Sequence, residues 1–319
     1  MATINANYGI DSYTIDLNFY WRHFYKDAFL DDYYYDLYGT KYQDLYIVSG
    51  WDGYNDLLFG IAGVGFGFNA WGDLTAGTVN FISEEVYGRS AIWTAEDFSV
   101  PAARIYSASL THGNADDRAV LASIMSGNDT VRLSAFNDWF EGWAGHDQMF
   151  GNGGNDTLLG GVGNDMLNGG LGIDRLMAGS GHDRLIGAAG NDVLQGDIGN
   201  DVLDGGMGRD QMFGGADAVR DVFIFRARAE TVLGAQRDQI MQFSAGQDDI
   251  DLSLIDANAA RAGNQAFAFT GTAAAAHAVW CVRQVDGVLV CGDVNGNKAA
   301  DFEIWVDDAT RLAAADFIL

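Results

Sequence analysis

Residues 142–213 divide without remainder into eight nonapeptides, and this repeat constrains the fold more than any other feature of the sequence. The fourth position is glycine and the sixth is aspartate in all eight copies, the eighth is leucine or methionine in all eight, and the first is glycine in seven. Two weaker copies precede in the same frame, 124–132 and 133–141. A polar linker would not hold an apolar residue in register, so the spacing predicts a stack of similar structural units.

Each repeated position has a physical role. Glycine lets a six-residue turn pass through positive φ and brings backbone carbonyl groups close to an ion. The sixth-position aspartate supplies carboxylate oxygen, and calcium takes six to eight oxygens at about 2.3–2.6 Å. The eighth-position side chain, in a strand of about three residues, is buried only when several copies stack. The repeat therefore predicts a right-handed parallel β-roll whose turns bind several calcium ions.

Two nonapeptides would form one coil of the roll, so alternate turns would lie on opposite edges. Three gaps between stacked turns on each edge give about six calcium ions in this block. Without calcium the carboxylates would repel one another, so folding should depend on calcium. The predicted metal ligands are Asp147, Asp165, Asp183 and Asp201 on one edge, Asp156, Asp174, Asp192 and Asp210 on the other, with Gly161, Gly163, Gly170, Gly172, Asp129 and Asp138.

The charge of the chain agrees with cation binding. The sequence has 44 acidic and 18 basic residues, a net charge of −26, and six of the acids are glutamate, so 38 are aspartate. Such a chain repels nucleic acid and anionic membranes and attracts hard cations. The longest apolar stretch, Leu57–Phe68, has twelve residues interrupted by four glycines, which is too short to span a bilayer. His146 and His182 occupy the fifth position, and we expect them to be turn residues rather than zinc ligands.

The sequence divides into three predicted regions, and the whole chain is predicted to be mainly all-β. Residues 1–123 are aromatic, with all thirteen tyrosines at or before Tyr106, and predict a β-rich α+β module. Residues 124–222 form the roll, and 223–319 a β-rich C-terminal cap. Aromatic spacing in 20–38 predicts a helix. Alternating patterns predict strands at Leu45–Val48, Val64–Phe68, Thr78–Ile82, Arg104–Leu110, Val222–Phe225, Ala266–Phe269, Val288–Val290 and Phe302–Val306.

Two features of the C-terminal region leave alternatives open. Cys281 and Cys291 flank Val285–Gly287, a plausible three-residue hairpin loop. That register would place the cysteines opposite each other, either as a disulfide or as two buried thiols. Asp293, Asn295 and Asn297 have the opening spacing of an EF-hand loop, but later positions depart from it, so we favour a structural turn over a further calcium site.

The repeats resemble those of RTX (repeats-in-toxin) proteins, and residues 214–319 resemble the C-terminal region of serralysin-type exoproteins. The resemblance is carried by Arg237–Phe243, Asp249–Asn258, Gly292–Gly296 and Ala300–Ile304, and by the closing Asp316–Leu319. It implies secretion by a type I machinery that reads an uncleaved C-terminus. The first residues agree, because they lack the basic and apolar regions of a signal peptide.

Residues 1–123 carry none of the catalytic motifs considered. The sequence lacks the His-Glu-x-x-His of a serralysin protease, a Gly-x-Ser-x-Gly elbow and a phosphate-binding loop. We therefore expect no enzyme activity and a binding or adhesion module for carbohydrate or another cell-surface ligand. One alternative is an extracellular hydrolase with an unrecognised catalytic domain. Another is a ligand carrier, because Phe66–Ile82, Phe98–Pro101 and Ile124–Asp129 resemble secreted hemophores, although Leu74 and Thr75 stand where those carry a haem-ligating tyrosine.

Overall fold

The computed structural model describes the backbone of residues 3–6, 24–30, 35–37, 40–42, 44–51, 56–68, 74–86, 91–101 and 115–319 except 259, and side chains from 118 onward. The chain forms two compact units, Met1–Met149 and Phe150–Leu319, which are described separately. The three regions predicted from the sequence, 1–123, 124–222 and 223–319, do not coincide with these two units. That division stays a prediction.

The first unit is built mainly from antiparallel strands. Its described strands run in the order β2-β5-β6-β7-β8-β1-β9, with β1 and β9 parallel and the other neighbours antiparallel. A separate hairpin joins β3 to β4. The elements are β1 (Thr3–Ala6), β2 (Phe24–Leu30), β3 (Tyr35–Leu37), β4 (Thr40–Tyr42), β5 (Asp44–Trp51), β6 (Asp56–Phe68), β7 (Leu74–Val86), β8 (Ala91–Pro101), α1 (Ala115–Ile124), β9 (Thr130–Arg132) and β10 (Trp139–Glu141).

The predicted helix at 20–38 is wrong. The described residues there form β2 and β3, and β2 pairs with β5, so that Ala28 lies opposite Ile47. Aromatic residues favour strands when a neighbouring strand is available, and here that pairing outweighs the helical spacing. The strands predicted within β5, β6 and β7 are confirmed, whereas Arg104–Leu110 lies outside the described residues.

The second unit contains the parallel β-roll predicted from the repeat. Strands eighteen residues apart pair in parallel, as Leu158 with Leu176 and Leu167 with Leu185. Successive strands alternate between two sheets, which run β13-β15-β17-β19-β21-β26 and β12-β14-β16-β18-β20-β25. The strands, with β11 before them at Gln148–Phe150, are β12 (Thr157–Val162), β13 (Met166–Leu171), β14 (Arg175–Ser180), β15 (Arg184–Ala189), β16 (Val193–Ile198), β17 (Val202–Met207), β18 (Gln211–Phe213), β19 (Val222–Ile224), β20 (Asp238–Met241), β21 (Asp249–Asp251), β25 (Phe302–Asp307) and β26 (Phe317–Ile318).

The eighth position of the repeat forms the core of the roll, as predicted. Leu158, Leu176 and Leu194 are fully buried, and so are Leu167 and its stacked neighbours in the other sheet. Third-position side chains face solvent instead: Leu171 is 67% exposed. This alternation follows from the strand geometry, in which successive side chains point to opposite faces. Burial of one leucine side chain contributes about 2 kcal/mol, so the stack as a whole stabilises strands that are individually too short.

The C-terminal cap adds an antiparallel extension to one sheet of the roll. Strand β24 (Gly287–Gly292) pairs antiparallel with β25 and with β23 (Ala278–Arg283), and β22 (Ala268–Phe269) pairs in parallel with β23 at the edge. Short 3₁₀ helices span Gly234–Gln236 and Ala314–Asp316. The strands predicted at Val288–Val290 and Phe302–Val306 are confirmed, whereas only Ala268 and Phe269 of the strand predicted at Ala266–Phe269 form one. Within the described part of the chain, no helix has the length and apolar character needed to cross a bilayer.

The predicted register of the cysteine hairpin is wrong by one residue. Cys281 lies opposite Val290 and Cys291 opposite Trp280, because the N–H of Gln284 donates to the carbonyl of Gly287 and leaves a loop of two residues instead of the predicted three. A shift of one residue places the two side chains on opposite faces of the hairpin. Both cysteines are free and buried, and burial raises the pKa of Cys281 to about 12 and that of Cys291 to about 11.

Candidate calcium-binding turns

The six-residue turns of the roll pass through positive φ at their second position and, except at Gly190, at their fourth. Gly161 and Gly163 have φ of +108° and +137°, and Gly170 and Gly172 have +99° and +126°. Ala188, a second-position residue, also has positive φ, at +76°. Glycine adopts this conformation without steric strain, which explains its predominance at these positions.

The fourth glycine is also required by the approach of the next turn on the same edge. A Cβ on Gly181 would lie 1.8 Å from the carbonyl oxygen of Gly163, and a Cβ on Gly190 would lie 1.5 Å from that of Gly172. No side chain tolerates such distances to backbone atoms. Stacked turns therefore lie backbone to backbone, and their carbonyl oxygens line the gaps between them.

The sixth-position aspartates form one continuous hydrogen-bonded ladder along each edge. The backbone N–H of each aspartate donates to Oδ1 of the aspartate eighteen residues later, at 2.7–2.8 Å. The pairs in the second unit are Asp156 to Asp174, Asp174 to Asp192, Asp192 to Asp210, Asp165 to Asp183 and Asp183 to Asp201. In the first unit Asp129 donates to Asp147 in the same way, at 2.8 Å. The alternation of the aspartates between two edges is thus confirmed for these pairs.

In five ladder residues of the second unit, the second carboxylate oxygen is buried without a hydrogen bond. This holds for Oδ2 of Asp174, Asp183, Asp192, Asp201 and Asp210, all of which belong to side chains at most 2% exposed. The oxygen lies beside the first-position glycine: a Cβ on Gly196 would be 2.4 Å from Oδ2 of Asp201 and 2.6 Å from the carbonyl of Gly214. A buried anionic oxygen without a donor is strongly disfavoured, and a cation among oxygen atoms removes that penalty. The turns therefore fit calcium.

The electrostatics of the turns point the same way. Burial raises the pKa of Asp183, Asp192 and Asp201 to about 7, although the N–H donated from the preceding turn lowers it. Burial likewise raises the pKa of Asp210 to about 6. Carboxylates in neighbouring turns also repel one another, which adds to the rise. The folded turns therefore disfavour negative charge near neutral pH unless a cation compensates it.

The ligand set requires backbone oxygen as well as carboxylates. In the described part of the chain, no three His, Cys, Asp or Glu side chains come together as a metal-binding group. Each turn instead brings one buried carboxylate close to the carbonyl oxygens of its neighbours, which is an oxygen-only environment of the kind calcium prefers. The predicted glycine ligands fit this description, since the carbonyls of Gly161, Gly163 and Gly172 each face the turn stacked next to them. Asp138 has a different setting, where its Oδ2 accepts hydrogen bonds from the N–H and Oγ of Ser134.

The fifth position forms a second ladder, outside the aspartates. Oδ1 of Asn155 accepts the N–H of Ile173 at 2.8 Å, and Oδ1 of Asn191 accepts that of Arg209 at 2.9 Å. His182 takes the same place, because its Nδ1 accepts the N–H of Asn200 at 3.0 Å. This contact explains how histidine substitutes for asparagine in a turn.

Three ladder residues were missed in the sequence. Oδ1 of Asp221 accepts the N–H of Asp201, Oδ1 of Asp238 that of Asp210, and Oδ1 of Asp248 that of Asp221, at 2.8–3.0 Å. All three side chains are 1% exposed, so both ladders continue beyond the repeats. Each aspartate keeps the repeat's spacing to a buried apolar residue two positions later, as in Asp221 to Phe223. That three-residue pattern was the available signal.

The loop at Asp293 is satisfied by its own backbone. Oδ1 of Asp293 accepts the N–H groups of Asn295 and Gly296, at 3.0 and 2.8 Å, and Oδ2 accepts that of Lys298 at 2.6 Å. Burial raises the pKa of Asp293, but these three donors outweigh it and lower the pKa below its ordinary value. The structure therefore agrees with the predicted structural turn.

Comparison with known proteins gives one family. Residues 104–319 match the family described as peptidase M10 serralysin C terminal. Among solved structures, the AlgE6R3 subunit of the Azotobacter vinelandii mannuronan C5-epimerase is 27% identical over 49% of this chain and 78% of its own, with a TM-score of 0.28. The extracellular lipase LipA from Serratia marcescens is 16% identical over 61% of this chain and 38% of its own, with a TM-score of 0.32. Both TM-scores are low, so we infer nothing about this chain from either structure. Comparison with curated proteins gave no match.

Proposed function

Because the chain belongs to the peptidase M10 serralysin C-terminal family, we propose that it is a secreted protein whose β-roll folds on binding about six or more calcium ions after export. In the cell, where free calcium is low, the roll would stay unfolded and be exported as an extended chain. Outside, calcium would neutralise the aspartate ladders and the roll would fold.

The observation that carries this proposal is the row of buried Oδ2 atoms along both edges. Oδ2 of Asp183 and of Asp192 has no hydrogen-bond donor, and burial raises the pKa of both carboxyls to about 7. Calcium supplies the missing positive charge and prefers the carboxylate and carbonyl oxygens that the turns present.

The test compares chelator-treated protein with protein in millimolar calcium. At neutral pH we expect the far-ultraviolet circular dichroism of a β-roll only with calcium, and about six or more bound ions per chain by atomic absorption. Asp183→Asn should lower the number of bound ions, because it removes the charge of one ladder carboxylate. Asp286→Asn is the matched control, since Asp286 is exposed in the β23–β24 loop and the net charge changes equally. An identical β signal with and without calcium would refute calcium-dependent folding.

For residues 1–123 we propose a non-catalytic module that binds carbohydrate or another cell-surface ligand. The aromatic composition of the region and its lack of the motifs named above support this function. Full-length protein with calcium should bind a panel of immobilised glycans without hydrolysing ester, peptide or glycoside substrates. Sustained turnover of any of them would favour the hydrolase, and a Soret band on addition of haem would favour the ligand carrier.

For export we propose a type I secretion machinery as the partner, which would read the C-terminal residues. The serralysin-type character of residues 214–319 supports this partner. Deleting Asp316–Leu319 should retain the protein in cells that carry such a machinery, while the full chain appears in the medium. Equal secretion of both chains would contradict the proposal.

A further inference from the structure

The turn at residues 214–221 follows the last regular repeat and differs from it. It has eight residues instead of six. Gly214 keeps the role of a first-position glycine, since a Cβ there would lie 2.4 Å from Oδ2 of Asp221. Oδ1 of Asp221 accepts the N–H of Asp201 at 2.9 Å, so the ladder passes through this turn. We call residues 214–221 the interrupted turn.

Asp217 stands in the interrupted turn where every regular turn has glycine, and its carboxylate replaces a backbone carbonyl. In the regular turns the N–H of the fourth glycine donates to a carbonyl of the next turn, as Gly181 does to Ile198 at 2.8 Å. The N–H of Gly199 donates instead to Oδ2 of Asp217, also at 2.8 Å. A charged oxygen thus occupies the place of a neutral one.

The gap between turn 196–201 and the interrupted turn consequently holds more negative charge than a regular gap. Its two turns carry four carboxylates, Asp197, Asp201, Asp217 and Asp221, whereas turns 169–174 and 187–192 carry only Asp174 and Asp192. The charges of Asp197 and Asp217 act on the carboxylate of Asp201. The basic residue of the interrupted turn, Arg220, pairs with Asp249.

An independent observation shows that this gap has an oxygen available for a cation. Asp201 is fully buried, and its Oδ2 has no hydrogen-bond partner. The carbonyl oxygen of Gly214, in the interrupted turn, converges on the same place: the position of a Cβ on Gly196 is 2.4 Å from Oδ2 of Asp201 and 2.6 Å from that carbonyl. One carboxylate and one carbonyl from the two facing turns are therefore already brought together.

We propose that the gap between turn 196–201 and the interrupted turn is a calcium site of higher affinity than the gaps between regular repeats. The inference rests on the proposed calcium function and assigns its first-filled site. Asp201 and the Gly214 carbonyl supply ligand oxygens, while Asp197 and Asp217 add charge close by. The affinity of oxygen sites for calcium rises with the number of carboxylates around the ion, so we expect this ion to bind about tenfold more tightly than the others.

The test measures bound calcium per chain at controlled free calcium. Chelator-stripped full-length protein is dialysed against calcium buffers from about 10 nM to about 1 mM, the range in which protein sites of this kind fill. Wild-type protein should take up one ion at about tenfold lower free calcium than the rest. Asp217→Asn removes the charge but keeps an oxygen that accepts the N–H of Gly199, and it should shift that ion into the range of the others. Asp286→Asn should leave it unchanged.

Asp197→Asn serves as the second variant, because asparagine tolerates the positive φ of +71° at this position. We expect a smaller shift in the same direction, with a normal β signal at saturating calcium. The inference is overturned if wild-type protein takes up all its ions in one range, or if Asp217→Asn keeps the early ion. If neither the wild-type protein nor any of the variants binds calcium in any of the buffers, the proposed function itself is refuted, and this site with it.

Discussion

Gly181 leaves no room for a methyl group, so Gly181→Ala tests whether contact between turns sets the structure of the roll. Its Cβ would lie 1.8 Å from the carbonyl oxygen of Gly163 and 2.5 Å from the carbonyl carbon. To reach an ordinary contact of about 3.4 Å, the two turns would have to separate by roughly 1.5 Å. That movement would lengthen the hydrogen bond from the N–H of Gly163 to Ser180, which is 2.8 Å long.

The expected loss of stability is the sum of two effects. An L-residue with the φ of +149° at Gly181 is destabilised by roughly 1–2 kcal/mol. Overpacking against backbone adds about 1–3 kcal/mol, and weakening the adjacent hydrogen bond about 1 kcal/mol. We therefore expect Gly181→Ala to lower the free energy of unfolding by about 3–6 kcal/mol. The roll as a whole is only marginally stable, so this is a large fraction of the total.

Gly246→Ala is the matched control. Gly246 also has positive φ, +85°, but a Cβ there would meet nothing within 4 Å. Gly246→Ala should lower the free energy of unfolding by only about 1 kcal/mol, because only the backbone conformation is strained. The assay is urea denaturation in saturating calcium, followed by far-ultraviolet circular dichroism. Equal losses for the two variants would show that turn-to-turn contact does not constrain the roll, and would refute the reasoning.

Two further predictions concern protons and the C-terminal loop. In chelator, the far-ultraviolet β signal of the roll should be strongest near pH 4 and be lost as the pH rises through about 7, because the pKa of Asp183 and of Asp201 is near 7 when folded but near 3.8 when exposed, so the folded state holds protons that the unfolded chain has released. Calcium added at pH 6 should therefore release protons, measured with an indicator dye, and a β signal that rises with pH would contradict this. Asp293→Ala should lower the stability of the cap by about 2–4 kcal/mol, because three backbone N–H groups lose their acceptor. Atomic absorption should show an unchanged calcium count, and loss of an ion would identify a metal site instead.

The roll could be predicted from the sequence because its period and its burial pattern coincide. A side chain at the eighth position must be apolar if strands stack every eighteen residues, and Leu185 and Leu194 are indeed fully buried. The placement of alternate turns on opposite edges was predicted from the same eighteen-residue period. The composition of the turns also indicated oxygen ligands, whereas the free Oδ2 atoms beside the first-position glycine are a matter of side-chain rotamer and become visible only in the structure.

The repeat period could not predict where the ladder continues past the repeats, although each added aspartate precedes an apolar residue by two positions. Asp221, Asp238 and Asp248 follow segments of irregular length, so no fixed period places them. Their positions depend on β19, β20 and β21 continuing the two sheets, as when Phe223 pairs with Leu203. Pairing at that distance is decided by the sheet as a whole rather than by local spacing.

The two wrong predictions, the helix at 20–38 and the register of the cysteine hairpin, have a common cause in the pairing of strands. One backbone hydrogen bond, from Gln284 to Gly287, shifted the cysteine hairpin by one residue. Likewise, strand pairing rather than local aromatic spacing decided the structure of residues 24–30. Local composition favours an element, but its partner strand fixes the register and the face on which each side chain lies.

The pairing of strands eighteen residues apart also limits how the roll can change in length. Duplication or loss of eighteen residues would leave every later strand in its own sheet and Asp221 on its own edge. A change of nine residues would move β19 into the sheet that now contains β20, and β20 into the sheet that now contains β19. Both ladders would then be separated from their continuations in the cap. Mutation can therefore lengthen or shorten this roll only by whole coils, in steps twice the period that the sequence displays.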